Sequence, residues 1–302
     1  MQLLYFAIAI CAFAIPFLFL SIYKWHQIRK NKRAPFTDKF LRSPGQSLNE
    51  QIQSVSEEIT VNSSAVVILP LFMLTPVFIF NFNFTYFIAI MVLFELFSFR
   101  KLWKYLNERR RLRLGYDGEV AVGQELNLLM LEGYHVFHDL VTDKLHKFNI
   151  DHIIVGSSGV YAVETKTRSK SRIKKKNESA TVIYDGNALN FPHYSDTASL
   201  KQARLNALTL QKWLTSAVGE RVEVEAILTI PGWYVERKSA PRGVNVLSPK
   251  EIKKYLKSQK EKPLSETLVQ RIVHQLDQRC RDVDPITVQI DNEAKKQAAG
   301  FK

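Results

Sequence analysis

Apolar and polar positions along the chain change texture twice. Leu3 to Tyr23 is a run of 21 residues without a charge. As a helix it would be about 31 Å long at ~1.5 Å per residue, matching a hydrocarbon core of roughly 30 Å. A cleaved signal peptide would need a basic start, a shorter apolar stretch and a small-x-small site. The chain instead starts Met-Gln-Leu-Leu, and the run ends in Phe19, Leu20, Ile22 and Tyr23, so the pattern predicts an uncleaved anchor. Between Glu58 and Glu95 lie 36 further residues without a charge. That is too long for one span, and Asn81 to Phe84 (NFNF) falls near its middle. Two helices, Ser64–Phe80 and Thr85–Phe99, joined in a tight hairpin, are expected; one tilted helix with a re-entrant tail is the alternative. Pro70 and Pro76 make the first of the pair irregular, which membranes tolerate.

Beyond Leu114 the periodicity becomes that of an ordinary globular domain. GYDGEVAVGQELNLLMLEGY carries Val122, Leu126, Leu129 and Met130 at helical spacing, with Gly133 as a stop. HVFHDL reads as a strand, and NIDHIIVGSSGVYAVETKT (149–167) as two strands around a tight turn. SATVIYDGNAL is a strand entering a turn at Asp185–Gly186. SLKQARLNALTLQKWLTSAV is a helix, VEVEAILTI and VNVL are strands, and SPKEIKKYL is a helix with Ser248 as cap and Pro249 in its first turn. SETLVQRIVHQLDQ closes the series as an amphipathic helix. Helices interleaved with strands predict an α/β sandwich. The expected organisation is a span at 1–23, a basic loop at 24–63, a membrane hairpin at 64–99 and a basic helix at 100–113. An α/β domain at 114–260, a helical extension at 261–291 and a disordered tail at 292–302 follow.

Charge changes this picture mainly by orienting it. The net charge is +13. Lys24, Arg29, Lys30, Lys32, Arg33, Lys39 and Arg42 follow the first run; Arg100, Lys101, Lys104 and Arg109–Arg111 follow the last. Placing both clusters on the cytoplasmic side requires three spans, with the N-terminus and hairpin tip outside and everything after Phe99 inside. This arrangement suits a bacterial inner membrane. The basic helix RKLWKYLNERRRLRL is read as a contact to anionic lipid in preference to nucleic acid. Two cysteines, Cys11 and Cys280, provide neither a disulfide framework nor a thiolate metal cluster. Four histidines between His135 and His152 form no H-E-x-x-H pattern, and no Walker A or G-x-G-x-x-G motif is present.

The 149–167 hairpin holds the candidate chemistry. With residues 156–159 as the turn, Val155 faces Val160, and Asp151 faces Glu164 across the ladder. Lys166 stands two residues on, on the face of Glu164. Like charges opposed on an apolar sheet are destabilising. A divalent cation relieves the repulsion, and a lysine alongside can orient or deprotonate a metal-bound water, as phosphodiester hydrolysis requires. Solvent-exposed strand ends joined by an ordinary ion pair are the plainer alternative. Glu119, on the buried side of the first helix, is a third candidate ligand, or simply a carboxylate favoured by the helix dipole. Gln202 either closes a capping box with Ser199 or points into the site with Asn206 one turn later. Seven of the eleven residues from Lys166 to Lys176 are basic. Arg168, Lys170, Arg172, Lys174, Lys175 and Lys176 would clamp substrate phosphates, or form a solvated loop.

GEVAVGQEL, NIDHIIVGSSGVYAVETKT, ILTIPGW and NVLSPKEIKKYL together resemble the nuclease-related domain (NERD) family, a branch of the PD-(D/E)XK nuclease-like superfamily. The resemblance is strong over about 115–225 and looser to about 260. It implies a restriction-endonuclease-like mixed β-sheet flanked by helices, here joined to an α-helical transmembrane region. It further implies Asp151 and Glu164 as ligands of Mg²⁺, for which Mn²⁺ can substitute, with the Thr165 carbonyl as another ligand. Lys166 would serve the attacking water; Glu119 matches the family's first-helix glutamate, and Gln202 a helix glutamine. Ile150 stands where the superfamily motif has proline. The expected function is a membrane-anchored Mg²⁺-dependent nuclease whose partners are nucleic acid, DNA before RNA, and membrane lipid. A membrane-tethered nucleic-acid-binding or scaffold protein without turnover is the alternative. The oligomeric state is not encoded.

Overall fold

The computed structural model describes residues 18–19, 22–23, 38–80, 84–143, 148–170, 180–259, 263–285 and 288. They divide into two compact units, the first made of those described residues that fall within 1–40, 62–100 and 283–302, the second of those within 41–61 and 101–282.

Two long helices open the described chain, α1 (Gln46–Phe80) and α2 (Phe84–Asn127). Both exceed expectation. Residues 46–63, predicted as loop, are helical because Leu48, Ile52, Val55 and Ile59 recur at 4-3-4 spacing behind a Ser43–Gln46 turn. The predicted basic helix at 100–113 and the first helix of the α/β domain are one helix, since no proline interrupts 84–127. The helical stretches expected at Ser64–Phe80 and Thr85–Phe99 fall inside α1 and α2. Among the described residues, however, no helix is long and apolar enough to cross a membrane. In α2, Glu95 and then Arg100 limit the uncharged start to Phe84–Phe94, about 16 Å at ~1.5 Å per residue, half of what a bilayer asks. The first expected span lies almost wholly outside the described residues, as do the tail 292–302 and the segment 171–179.

The second unit is built on a five-stranded mixed sheet. β1 (His135–Asp143), β2 (Phe148–Gly156) and β3 (Gly159–Thr165) are antiparallel neighbours. Three short strands follow, β4 (Thr181–Tyr184), β5 (Leu189–Asn190) and β6 (Ser195–Asp196), and then helix α3 (Ala198–Val218). β7 (Val224–Thr229) pairs parallel with β3; β8 (Tyr234–Arg237) pairs parallel with β4, and β9 (Asn245–Leu247) with β7. The main sheet runs β9-β7-β3-β2-β1, and a second sheet of four strands runs β6-β5-β4-β8. Helices α4 (Pro249–Ser258) and α5 (Glu266–Cys280) complete the unit. Ser248 and Glu251 form a capping box with Pro249 in the first turn of α4, as the sequence predicts.

Both faces of the main sheet are covered, which is why IIV and VYAV are continuously apolar. Ile153, Val155, Val160, Ala162 and Leu228 pack with Leu210, Leu214 and Ile272 from α3 and α5. Ile154, Tyr161, Val163 and Ile227 pack on the opposite side with Val122 and Leu126 of α2 and Ile252 and Leu256 of α4. Full burial of each such side chain contributes about 1.5–3 kcal/mol.

Two glycines let α2 lie close to its neighbours. A Cβ on Gly123 would overlap Pro44, and one on Gly118 would overlap the Thr167 side chain just beyond β3. Gly118→Ala is therefore expected to destabilise the protein by about 1–3 kcal/mol despite alanine's better helix propensity. A denaturation midpoint unchanged or raised by that substitution would show that the contact is slack.

Candidate active site

The hairpin of β2 and β3 fixes the site. Its rungs run from Gly156↔Gly159 and Val155↔Val160 to His152↔Val163. The turn is shorter than expected, two residues (Ser157 and Ser158) with Gly156 and Gly159 paired beside them, but the alignment is the same. Gly159, at φ +141°, takes a conformation side-chain-bearing residues avoid. One rung beyond His152↔Val163 come Asp151 and Glu164. There the Asp151 carboxylate leaves the rung and accepts the Thr165 backbone N–H at 2.7 Å.

Glu164 is 1% exposed. Its Oε1 lies 2.6 Å from Lys166 Nζ. Its Oε2 accepts Asn206 Nδ2 at 2.6 Å, and the same amide also donates to the Asn149 carbonyl. The helix residue on Glu164 is thus Asn206 of α3. Gln202, one turn earlier, is half-buried, and its side chain makes no hydrogen bond among the described residues. It does not close a capping box either. Asp196 caps α3, accepting the Ser199 N–H and Oγ–H at 3.0 and 2.7 Å.

A further acid, not singled out by the sequence pattern, lies beside this pair. Asp139 sits between the β1–β2 rungs His138↔His152 and Leu140↔Ile150, opposite Asp151, with a left-handed backbone (φ 51°). By extension of the two ladders, Asp139, Asp151 and Glu164 fall at one backbone level across three adjacent strands without themselves being paired. Asp139 is neutralised by Arg42, whose Nε and Nη2 donate to its Oδ2 at 3.0 and 2.8 Å. The Asn149 amide and the Ser47 backbone N–H also donate to Asp139. An acid in the apolar strand HVFHDLV was the available signal for Asp139; Arg42, 97 residues away, had none.

The electrostatics are those of acids crowded out of water. Burial, then Glu164 and Glu119, push the Asp151 carboxyl well above its usual range, against the Thr165 N–H and Lys166. Burial also raises Glu164, opposed by Lys166. Glu119, from α2, is pushed up to about 8 by burial and by Asp139 and Glu164. One ammonium cannot balance three carboxylates, so part of the cluster stays protonated at neutral pH. The folded Glu119 keeps its proton up to about pH 8, whereas the unfolded chain releases it near 4.5. Folded protein then binds more protons across that window, and stability falls as pH rises through it. Glu119→Gln removes this dependence. In EDTA at pH 8 it is expected to be more stable than the parent by about 3–4 kcal/mol, the gap closing below pH 4.5, as urea titrations at both pH values would measure. Equal stability at both would contradict the shift.

The donor set is hard oxygen, which suits Mg²⁺ rather than a thiophilic or imidazole-bound metal. Among the described residues no three or more His, Cys, Asp and Glu side chains are grouped so that they could hold a metal ion, so Glu119 is not brought together with Asp151 and Glu164 as a third ligand. Asp151 and Glu164 fit a cation that takes one or two carboxylates and keeps several waters. His138 and His152 contact each other at 2.9 Å through their Nδ1 atoms, and His138 Nε2 contacts Asn127. Burial drives His138 down to about 4 and His152 well below its usual value, so both are neutral core groups at pH 7.

The basic segment after β3 divides. Arg168 pairs with Asp196 at 2.6 Å, and Lys170 lies 5.9 Å over the Trp233 ring. Arg168 is thus engaged in holding the start of α3. Arg172, Lys174, Lys175 and Lys176 lie outside the described residues.

Fold and site together define a mixed α/β domain with a buried carboxylate pair and a lysine at one end of its sheet. Residues 114–231 match the family model of the nuclease-related domain (NERD). That segment contains Glu119, Asp139, Asp151, Glu164, Lys166 and Asn206; Arg42 lies before it. No curated protein and no solved structure matches the chain.

Proposed function

We propose that this protein is a metal-dependent nuclease that hydrolyses nucleic-acid phosphodiester bonds at the Asp151–Glu164–Lys166 site. The observation that carries the reading is the buried Glu164 carboxylate held between Lys166 and Asn206, with Asp151 across the hairpin. Asp151 and Glu164 would hold Mg²⁺, and the Thr165 carbonyl is a candidate further ligand. When bound, the cation supplies Lewis acidity toward the phosphoryl oxygens and lowers the pKa of a coordinated water. Asn206 fixes the rotamer of Glu164. Lys166 would hold the attacking water or, after giving up its own proton, take one from it, and Glu119 would carry the proton that the uncompensated cluster retains. The substrate would be DNA in preference to RNA. Attachment to a membrane is part of the same proposal. It rests on the uncharged run Leu3–Tyr23 and on the exposed apolar residues Tyr86, Leu93, Phe97 and Phe99.

One observation favours a second reading. Glu164 is already engaged without a metal, Oε2 by the Asn206 amide and Oε1 by the Lys166 ion pair, which a nucleic-acid-binding domain without turnover would also allow. Incubating the full-length chain with single-stranded, duplex and branched DNA and with RNA, in Mg²⁺, Mn²⁺ or EDTA, decides between them. Cutting that needs the metal supports the nuclease; binding without cutting in every metal supports the alternative.

A further inference from the structure

Arg110, Arg111 and Arg113 of α2 line a cleft of about 450 Å³ together with Leu114, Asp117 and Ser169. Among the described residues none of the three guanidiniums has an ion-pair or hydrogen-bond partner, and all three are exposed. Arg110, Arg113, Leu114 and Asp117 share one helix face at i, i+3 and i+4 spacing. The opposite wall comes from the chain leaving β3, because Gly118 lies directly against Thr167 and Ser169 follows two residues later. The cleft thus lies between the helix that carries Glu119 and the segment that carries Lys166.

We propose that this cleft binds the phosphodiester backbone of a nucleic acid strand a few nucleotides from the bond at Lys166. The inference rests on the nuclease reading for that bond, but not for the binding itself. Along the helix, Arg113 is six residues and Arg110 nine residues from Glu119, about 9 and 14 Å at ~1.5 Å per residue. At ~3.4 Å per nucleotide along a duplex strand, this is a reach of about three to four phosphates. Planar guanidiniums present paired donors that match phosphate oxygens, and the Ser169 hydroxyl adds another. The single acid in the lining, Asp117, leaves the cleft net positive. A flat headgroup surface would not account for arginines facing a second wall beside the carboxylates, so a strand is favoured over lipid. This reassigns the end of the basic helix from membrane contact to substrate contact.

The test compares the full-length protein with an Arg110→Ala, Arg111→Ala, Arg113→Ala variant and with the corresponding triple lysine variant. Fluorescence anisotropy of a labelled 20-nucleotide single strand is read in EDTA across 50–200 mM salt. Circular dichroism melts establish that each variant is folded. The alanine variant is expected to bind 10- to 100-fold more weakly at 100 mM salt. Its log K against log salt slope should be shallower by about two, since each lost single-strand phosphate contact removes ~0.7. The lysine variant should keep the parent slope. An unchanged slope in the alanine variant overturns the proposal, as does a parent protein that binds no strand. So does an alanine variant that still binds the strand but no longer sediments with phosphatidylglycerol–phosphatidylcholine vesicles, which would assign the arginines to lipid. Absence of cutting by the parent in Mg²⁺, with binding still dependent on the arginines, would defeat the nuclease reading alone.

Discussion

Glu164→Gln is expected to abolish metal-dependent cutting, and Lys166→Ala to slow it by about 10²- to 10⁴-fold, the usual contribution of a positioned proton-transfer group. The two losses have different origins. The glutamine side chain is isosteric with that of Glu164 and can still meet the Asn206 amide through its own carbonyl oxygen, so the strand and α3 stay in place. It lacks the charge that would draw the proposed cation between β2 and β3. Lys166→Ala leaves both carboxylates and removes the ammonium 2.6 Å from Glu164 Oε1. The metal-free cluster then takes up protons more readily, because its one nearby positive charge is gone. Single-turnover cleavage at saturating Mg²⁺ separates them. Glu164→Gln should not recover with more metal, whereas Lys166→Ala should recover in part as pH rises and free hydroxide replaces the missing base. Asn206→Ala is expected to cost less, because a water can occupy the amide's place. Wild-type rates in either Glu164→Gln or Lys166→Ala would remove the site from the chemistry altogether.

Arg42→Ala is expected to destabilise the protein by about 3–5 kcal/mol, the cost of leaving a buried carboxylate without its partner. Arg42 is 7% exposed and Asp139 2%. The guanidinium also donates to Asp282 at 3.0 Å and to Ser47 at 2.7 Å, and the Arg42 backbone N–H donates to the Cys280 carbonyl. One side chain therefore ties the segment before α1, the end of α5 and β1 together. Asp139→Asn keeps the left-handed backbone accessible, since asparagine tolerates it, and removes the charge. Combined with Arg42→Met it should recover most of the loss, because a removed pair costs far less than a broken one. Urea denaturation of the single and double variants measures this. A loss under about 1 kcal/mol for Arg42→Ala would mean that water reaches Asp139 in the folded state.

The register of the hairpin could be read from the sequence because everything that sets it is local. IIV and VYAV alternate across two faces, GSSG permits only a short reversal, and a slip of one residue would have driven Asp151 into the core packed by α2 and α4. Asp151, Glu164 and Lys166 were legible for that reason. Asn206 was seen only as a neighbour of Gln202, because a helix in isolation does not reveal which of two adjacent turns will face a strand 42 residues back. The Arg42–Asp139 pair depends on a 97-residue separation and on a backbone conformation unusual for aspartate. The length of α2 was hidden by its own composition. Gly123 was legible as a place of close packing; Gly118 was not, and both lie inside one continuous helix, against Pro44 and Thr167. The same misreading separated the arginines from Glu119, which share one uninterrupted helix.

The two-residue turn between β2 and β3 also sets an order of events. Hairpins close in about 1–10 μs, and long-range pairings wait for larger loops to close. Asp151 and Glu164 therefore come level with each other early, while both are still hydrated and their repulsion is screened by water. Asn206 is expected to reach Glu164 only when α3 docks, and Arg42, separated from Asp139 by 97 residues, to reach it later. On this ordering the carboxylate pair is expected to form first, in solvent, before the surroundings that make it costly close over it.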